Sequence, residues 1–153
     1  MSELPPALPE RARVLLDSNT VLALWLFRDP RLPRLREACE AGRFALLARE
    51  DTLEELRRVL AYVQFKVGAD EQARLHTEYR SRVELLPALA TDFLLPKCRD
   101  ADDQKFIELA FTGKADWLIS RDKAVLRLGK HRLLRERMAI ITPEQFEAGL
   151  SAA

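Results

Sequence analysis

Acidic side chains recur where apolar runs of this sequence end. In "RVLLDSNT", Asp17 follows the run 14–16, and Asp122 follows "ADWLIS". Glu54 and Glu55 stand near the start of the helix predicted after "FALLA". Three more acids lie together at the start of another predicted helix: Asp100, Asp102 and Asp103. Clustered carboxylates suit hard cations such as Mg²⁺ or Mn²⁺, and a bound ion acidifies a water for attack on a phosphodiester. The residue types therefore indicate a hydrolytic site holding one or two such ions.

The elements that must position these acids alternate between strand and helix. Short apolar runs predict strands at "VLL", "FALLA", "VELLP", "ADWLIS" and "MAIIT". Helical periodicity is clearest in "EDTLEELRRVLAYV" and "DDQKFIELAFTG". The alternation predicts an α/β fold, a three-layer α/β/α sandwich around a mostly parallel sheet. Strand ends and the starts of the following helices share one edge of such a sheet, so the acids are expected to converge there.

Helix geometry separates the acids that face inward from those that face solvent. Asp103 lies over the middle of the apolar stripe that begins with Phe106, and Asp102 lies toward its margin. In the earlier helix, Glu55 borders the apolar stripe, whereas Glu54 points nearly opposite to it. The inward-leaning carboxylates favour Asp103 and Glu55 as members of the site.

Each acid also has an explanation that requires no metal. Asp17 and Asp122 can cap the helices that follow them, although Ser18 or Asn19 is an equally plausible N-cap for the first. The acids before "QKF" can simply be stabilised by the helix dipole. Capping boxes are predicted for two helices: Thr52 with Glu55 or Asp51 with Glu54, and Thr142 with Gln145. That all these acids fall on one predicted sheet edge favours the chemical interpretation.

Length and composition predict one globular domain over residues 13–150, preceded by a flexible lead over 1–12. The chain has 153 residues, of which 48% are apolar and 32% charged. No window is long and apolar enough to cross a bilayer, and the first residues lack the pattern of a secretion signal. A cytoplasmic location is expected.

Charge and cysteine usage exclude some classes of site. The net charge of +1 lacks the excess of a protein that grips nucleic acid over its whole surface. Seven Lys or Arg residues nevertheless lie between Arg121 and Arg137, so Arg121 and Lys123 are candidate RNA contacts, or equally parts of a solvated surface. Cys39 and Cys98 lack disulfide or zinc spacing and are expected to be small, at least half-buried side chains.

Four segments together resemble the PIN domain family. They are "VLLDSNTVLALW", "LLAREDTLEELRRVL", "CRDADDQKFIELAFTGKADWLISRDKAVL" and "IITPEQF", and the likeness extends from about Arg13 to Leu150. The third segment is the most specific. The nearest likeness is to the bacterial branch of toxins from toxin–antitoxin pairs, which usually has Thr at Ser18, Pro at Ala101 and Thr at Ser120.

The resemblance implies a metal-dependent endoribonuclease. Matched by position, its acidic quartet is Asp17, Glu55, Asp103 and Asp122. Asp100 is a further metal-binding acid in this branch, and Asn19 and Ser120 are polar helpers. The resemblance also implies an RNA substrate, an antitoxin protein that binds near the site, and a homodimer.

Two other interpretations remain open from the sequence. A non-catalytic RNA- or protein-binding module can retain the same fold. The segment "LLDSNT" also resembles the D-x-D-x-T strand end of haloacid-dehalogenase-like phosphatases, although Asn19 replaces the second Asp of that motif.

Overall fold

A computed structural model describes residues 11–89 and 95–151 of the chain. In chain order the elements are β1 (Arg13–Leu16), α1 (Ser18–Trp25), α2 (Pro33–Glu40), β2 (Ala45–Ala48), α3 (Glu50–Leu60), a 3₁₀ turn (Val63–Phe65), α4 (Ala69–Arg82), β3 (Val83–Leu85), a 3₁₀ turn (Ala101–Asp103), α5 (Gln104–Thr112), β4 (Trp117–Ile119), α6 (Lys123–Leu128), β5 (Ala139–Ile141) and α7 (Pro143–Ser151). All five predicted strands are confirmed.

The strands form one parallel sheet in the order β3-β2-β1-β4-β5. The chain leaves the central strand β1 toward β2 and later returns to its other side as β4. The strand order therefore reverses beside β1, and ligands of open parallel sheets bind at the carboxyl edge near such a reversal. Asp17, which follows β1, occupies this position.

Two apolar cores cover the two faces of the sheet, which confirms the predicted three-layer α/β/α sandwich. Val14 and Leu16 of β1 belong to the core that includes residues of α1, α2, α3 and α7. Leu15, between them, belongs to the core that includes residues of α5. All three side chains are buried because successive residues of a strand point to opposite faces. The helices thereby hold the carboxyl edge of the sheet in a fixed arrangement.

The helix starts differ in detail from the sequence-based expectations. The N-cap of α1 is Asp17, not Ser18 or Asn19, because its backbone is extended and its side chain accepts from the amide of Thr20. Neither predicted capping box forms at α3, where the extended residue Arg49 is the N-cap and its amide donates to the hydroxyl of Thr52. At α7 the predicted reciprocal pair of Thr142 and Gln145 is confirmed.

Helix α5 also begins later than predicted. Residues 101–103 form a 3₁₀ turn with Asp100 as its N-cap, and α5 continues from Gln104 to end at Thr112, just before Gly113. The burial predicted for Cys39 and Cys98 is confirmed. Most of the lead predicted over 1–12 lies outside the described residues. Within the described ranges, no helix has the length and apolar character needed to span a membrane.

A buried carboxylate at the end of the chain fixes the start of α2. Glu147 of α7 accepts from the amides of Arg34 and Leu35 at 3.0 and 2.8 Å, and it is 8% exposed. These amides lack partners within their own helix, so the carboxylate acts as a cap supplied by a distant segment. It ties α7 to the layer that carries α1.

We expect Glu147→Gln to lower the free energy of unfolding by about 1–2 kcal/mol, because one amide oxygen replaces a charged acceptor of two backbone amides. Urea denaturation measures the change. Glu37→Gln, on the exposed face of α2, is the matched control and should leave the midpoint unchanged. Equal midpoints for both variants would contradict the capping role.

Candidate active site

Asp17 joins the end of the central strand to the start of α1. Its Oδ1 accepts from the amide of Thr20 at 2.9 Å and from the Thr20 hydroxyl at 2.6 Å. Burial raises the pKa of this carboxyl, while hydrogen bonds from Ser120 and Thr20 act in the opposite direction. The metal-free explanation of Asp17 as a helix cap is therefore correct. It does not exclude a chemical role, because the side chain also lines a pocket.

One pocket at the carboxyl edge gathers most of the predicted acids. Its lining residues come from the start of α1, one face of α3 and the turn before α5: Asp17, Ser18, Asn19, Glu55, Arg58, Val59, Tyr62, Asp100, Asp102 and Asp103. Asp122 does not line it. It lines an adjoining depression together with Asp100 and Lys123. Asp100 thus lies between the pocket and Asp122.

The pKa of Asp103 reflects the negative charge of the neighbouring acids. Its pKa is raised to about 7, first by burial and then by the negative charges of Asp122, Asp100, Asp17 and Glu55. Carboxylates that share a site disfavour one another's ionisation. The predicted quartet and Asp100 therefore form one electrostatic cluster, although they are spread over more than a hundred residues of sequence.

Glu55 is held at both carboxylate oxygens. Oε2 accepts from the Ser18 hydroxyl at 2.9 Å, and Oε1 accepts from Lys105 Nζ at 2.8 Å. The Lys105 ammonium also donates to the backbone carbonyl of Asp102. The side chains of Glu55 and Lys105 are 14% and 16% exposed, so this ion pair is shielded from solvent. It orients Glu55 into the pocket and offsets part of the negative charge.

Ser120 and Asp122 follow β4 on the other side of the cluster. The fully buried Ser120 hydroxyl accepts from the amide of Asp122 at 3.0 Å and also hydrogen-bonds to Asp17. Asp122 caps α6 by accepting from the amides of Ala124 and Val125 at 2.8 and 3.3 Å. Ser120 therefore links the acids that follow two neighbouring strands.

The site has the donor chemistry of a hard-cation centre, but its carboxylates are engaged with protein groups. Among residues 11–89 and 95–151, no three His, Cys, Asp or Glu side chains are arranged to hold an ion. Asp17 and Asp122 accept from helix amides, and Glu55 is paired with Lys105. Carboxylate oxygens alone suit Mg²⁺ or Mn²⁺ rather than a softer metal. The residues fit such an ion in type and in shared negative potential.

The remaining predicted residues lie around this cluster. Asn19 lines the pocket and is exposed. Lys123 is exposed in the depression beside Asp122. The guanidinium of Arg121 is engaged by Glu144 and Asp29, so an RNA contact there would have to replace these ion pairs. Contact of Arg121 and Lys123 with RNA stays a prediction.

Sequence reasoning missed two groups that position Glu55. From the sequence, Ser18 is a plausible cap and a position where the resembled branch has Thr. Its hydroxyl instead reaches across from α1 to α3. Lys105 lies two residues after Asp103, a spacing at which helical side chains do not face each other, so the local pattern does not indicate its pairing with Glu55.

Two of three comparisons relate the chain to known proteins. A model of a family described as PIN domain matches residues 13–124. The crystal structure of PAE2754 from Pyrobaculum aerophilum has a similar fold, with a TM-score of 0.61 and 18% sequence identity over 94% of this chain and 92% of that one. At this identity the structural likeness concerns the fold alone. No curated protein matches the chain.

We expect the stability of the metal-free protein to fall as pH rises through about 7. The folded-state pKa of Asp103 is about 7, against an ordinary value of about 4, so the folded state binds more protons between these values. Its contribution is fully present at acid pH and is lost as the carboxyl ionises. Thermal unfolding in EDTA from about pH 5 to about pH 8 measures it.

Asp103→Asn should flatten this decline, because an amide does not ionise. Asp102→Asn, its exposed neighbour, is the control and should retain the decline. If Asp103→Asn and the wild type lose stability in parallel, the crowding of charge around Asp103 is wrong.

Proposed function

Because the chain belongs to the PIN domain family, whose members are typically nucleases, we propose that it is a divalent-metal-dependent endoribonuclease. One observation carries the proposal. Asp17, Glu55 and Asp103 line one pocket at the carboxyl edge of the sheet, and the pKa of Asp103 responds to every other acid of the cluster. A pocket with such crowded negative charge favours a cation, and a cation in turn attracts a phosphodiester.

The proposed roles follow from where each acid lies. Asp17, Asp103 and Asp122 would hold Mg²⁺ or Mn²⁺, with Asp100 as a further ligand between the pocket and Asp122. Glu55 would ligate through water or accept the proton of the attacking water. One or two such ions, when bound, supply an acidified water and neutralise charge on the phosphodiester.

The neighbouring polar groups would keep the acids in position. Ser120 hydrogen-bonds to Asp17 and accepts from the backbone of Asp122, so it fixes the distance between two proposed ligands. Ser18 and Lys105 hold the two oxygens of Glu55. Asn19 offers an exposed amide at the pocket rim. Outer groups of this kind commonly determine whether ligands are correctly oriented.

We also propose the finer assignment as the toxin of a toxin–antitoxin pair, acting as a homodimer in the cytoplasm. Its support is the resemblance of the "RDADDQKF" and "ADWLISRD" segments to that branch. An antitoxin that presents a basic side chain to Asp17, Glu55 and Asp103 would complement the charge of the pocket. Growth arrest on induced expression of the wild type, but not of Glu55→Gln, tests the toxic activity.

The two alternative functions have less support. A phosphatase of the D-x-D-x-T type needs a second acid two residues after its nucleophile, and Asn19 stands there. A non-catalytic module would not require the shared negative potential around Asp103, which destabilises the ionised cluster.

We expect Glu55→Gln to reduce the rate of RNA cleavage by about a hundredfold or more, since it removes a proton acceptor or ligand of the site. Glu54→Gln is the matched control on the same helix, because Glu54 is exposed and paired with Arg57. Cleavage of a labelled single-stranded RNA pool with Mg²⁺ or Mn²⁺, and its loss in EDTA, is the measurement. Unchanged cleavage by Glu55→Gln, or cleavage that persists in EDTA, would reject the proposed chemistry.

A further inference from the structure

Three aromatic rings form a row on the surface beyond the ends of α1 and α3. The rings of Tyr62 and Phe65 are stacked, with centroids 6.0 Å apart and planes at 22°, and Phe27 meets Phe65 edge-on at 5.5 Å. Phe65 is packed against the core, whereas Tyr62 and Phe27 are 47% and 55% exposed. We name Phe27, Tyr62 and Phe65 the aromatic edge. Its inner ring is anchored, and its outer rings present apolar surface to solvent.

The aromatic edge is continuous with the acidic pocket. Tyr62 lines that pocket together with Glu55 and Arg58. Glu55, Arg58 and Tyr62 follow one another at helical spacing along and just beyond α3, so they lie on one side of it. At 1.5 Å per residue, Tyr62 is about 10 Å along the helix direction from Glu55. A chain of nucleotides held at the acids would therefore pass over Tyr62.

Exposed cations that form no salt bridge among the described residues accompany these rings. Arg58 lines the pocket, Lys66 follows Phe65, and Arg28 follows Phe27, all three exposed. Within residues 11–89 and 95–151, none of them forms a salt bridge, although the charges of Arg58 and Arg28 help to lower the pKa values of Glu54 and Glu71. By contrast, Arg57 of α3 and Arg74 of α4 form salt bridges with carboxylates. Exposed rings interleaved with cations that form no salt bridge are the elements of a surface for single-stranded nucleic acid.

We propose that the aromatic edge is a stacking platform for a base of single-stranded RNA, with Tyr62 contacting the base and Arg58 a phosphate. The inference rests on the proposed function and adds to it a contact for one base beside the acidic pocket. Bases in a duplex are already stacked on one another, so only an unpaired base can place its face on Tyr62. Exposed cations such as Arg58, which lines the acidic pocket proposed for phosphodiester chemistry, favour RNA over a protein as the occupant.

The test measures RNA binding without cleavage. Fluorescence anisotropy of a labelled RNA, recorded with Ca²⁺ in place of Mg²⁺ or Mn²⁺ so that the acidic pocket is offered a hard cation, gives the Kd for a single strand and for a duplex of the same sequence. We expect Tyr62→Ala to weaken single-strand binding about tenfold or more, while Tyr62→Trp retains it and shows quenching of the new indole. Val63→Ala, which shortens the neighbouring exposed side chain without removing a ring, is the matched control.

The proposed contact of Arg58 with a phosphate is tested separately, by the salt dependence of RNA binding. Arg58→Gln should reduce the dependence of log Kd on log salt concentration by about one unit, as expected for the loss of one phosphate contact. Arg57→Gln is its control on the same helix, because Arg57 is already paired with Glu54.

The outcomes separate this inference from the proposed function. Glu55-dependent cleavage with no effect of Tyr62→Ala on single-strand binding would overturn the platform and leave the nuclease standing. Tyr62-dependent binding without cleavage by the wild type would support the platform and overturn the nuclease. An equal loss for duplex and single strand would also overturn the platform. So would unchanged RNA binding combined with loss of self-association in Tyr62→Ala, which would assign the edge to a protein partner.

Discussion

Mutual repulsion among carboxylates at one edge of the sheet is the constraint on which this structure depends. Parallel strands bring the residues that follow them to the same edge, so Asp17 and Asp122 lie there, and α3 and the turn before α5 add Glu55 and Asp103. Backbone amides of α1 and α6 and the ammonium of Lys105 offset part of this charge. The pKa of Asp103 is nevertheless raised, first by burial and then by the negative charge that remains around it.

The same groups serve structure and proposed chemistry. An acid that caps a helix is placed by the backbone itself, and the fold therefore sets where its second oxygen faces. Asp17 illustrates this, since its Oδ1 is occupied by Thr20 while the side chain lines the pocket. The sequence leaves open whether Asp17 is a helix cap or a chemical group, and its position in the structure is compatible with both roles. Glu55 differs, because side chains from two other helices orient it.

Periodicity was sufficient to predict the strands and the inward orientation of Asp103 and Glu55, because both follow from local apolar patterning. Periodicity was not sufficient to predict which residues are the N-caps of α1 and α3. Asp17 and Arg49 became N-caps because their backbones are extended, a property set by the strands before them rather than by residue type. The pairing of Lys105 with Glu55 joins residues fifty positions apart, so no local pattern reports it. The exposure of Tyr62 likewise depends on where α3 ends.

The central claim is that this acidic cluster takes up a hard divalent cation, and calorimetric titration of the metal-free protein with Mn²⁺ tests it most directly. The account requires saturable binding of one or two ions, abolished or strongly weakened in Asp17→Asn and unchanged in Asp70→Asn, which alters an exposed acid at the start of α4. Absence of saturable binding at millimolar Mn²⁺, or equal binding by both variants, would contradict the account.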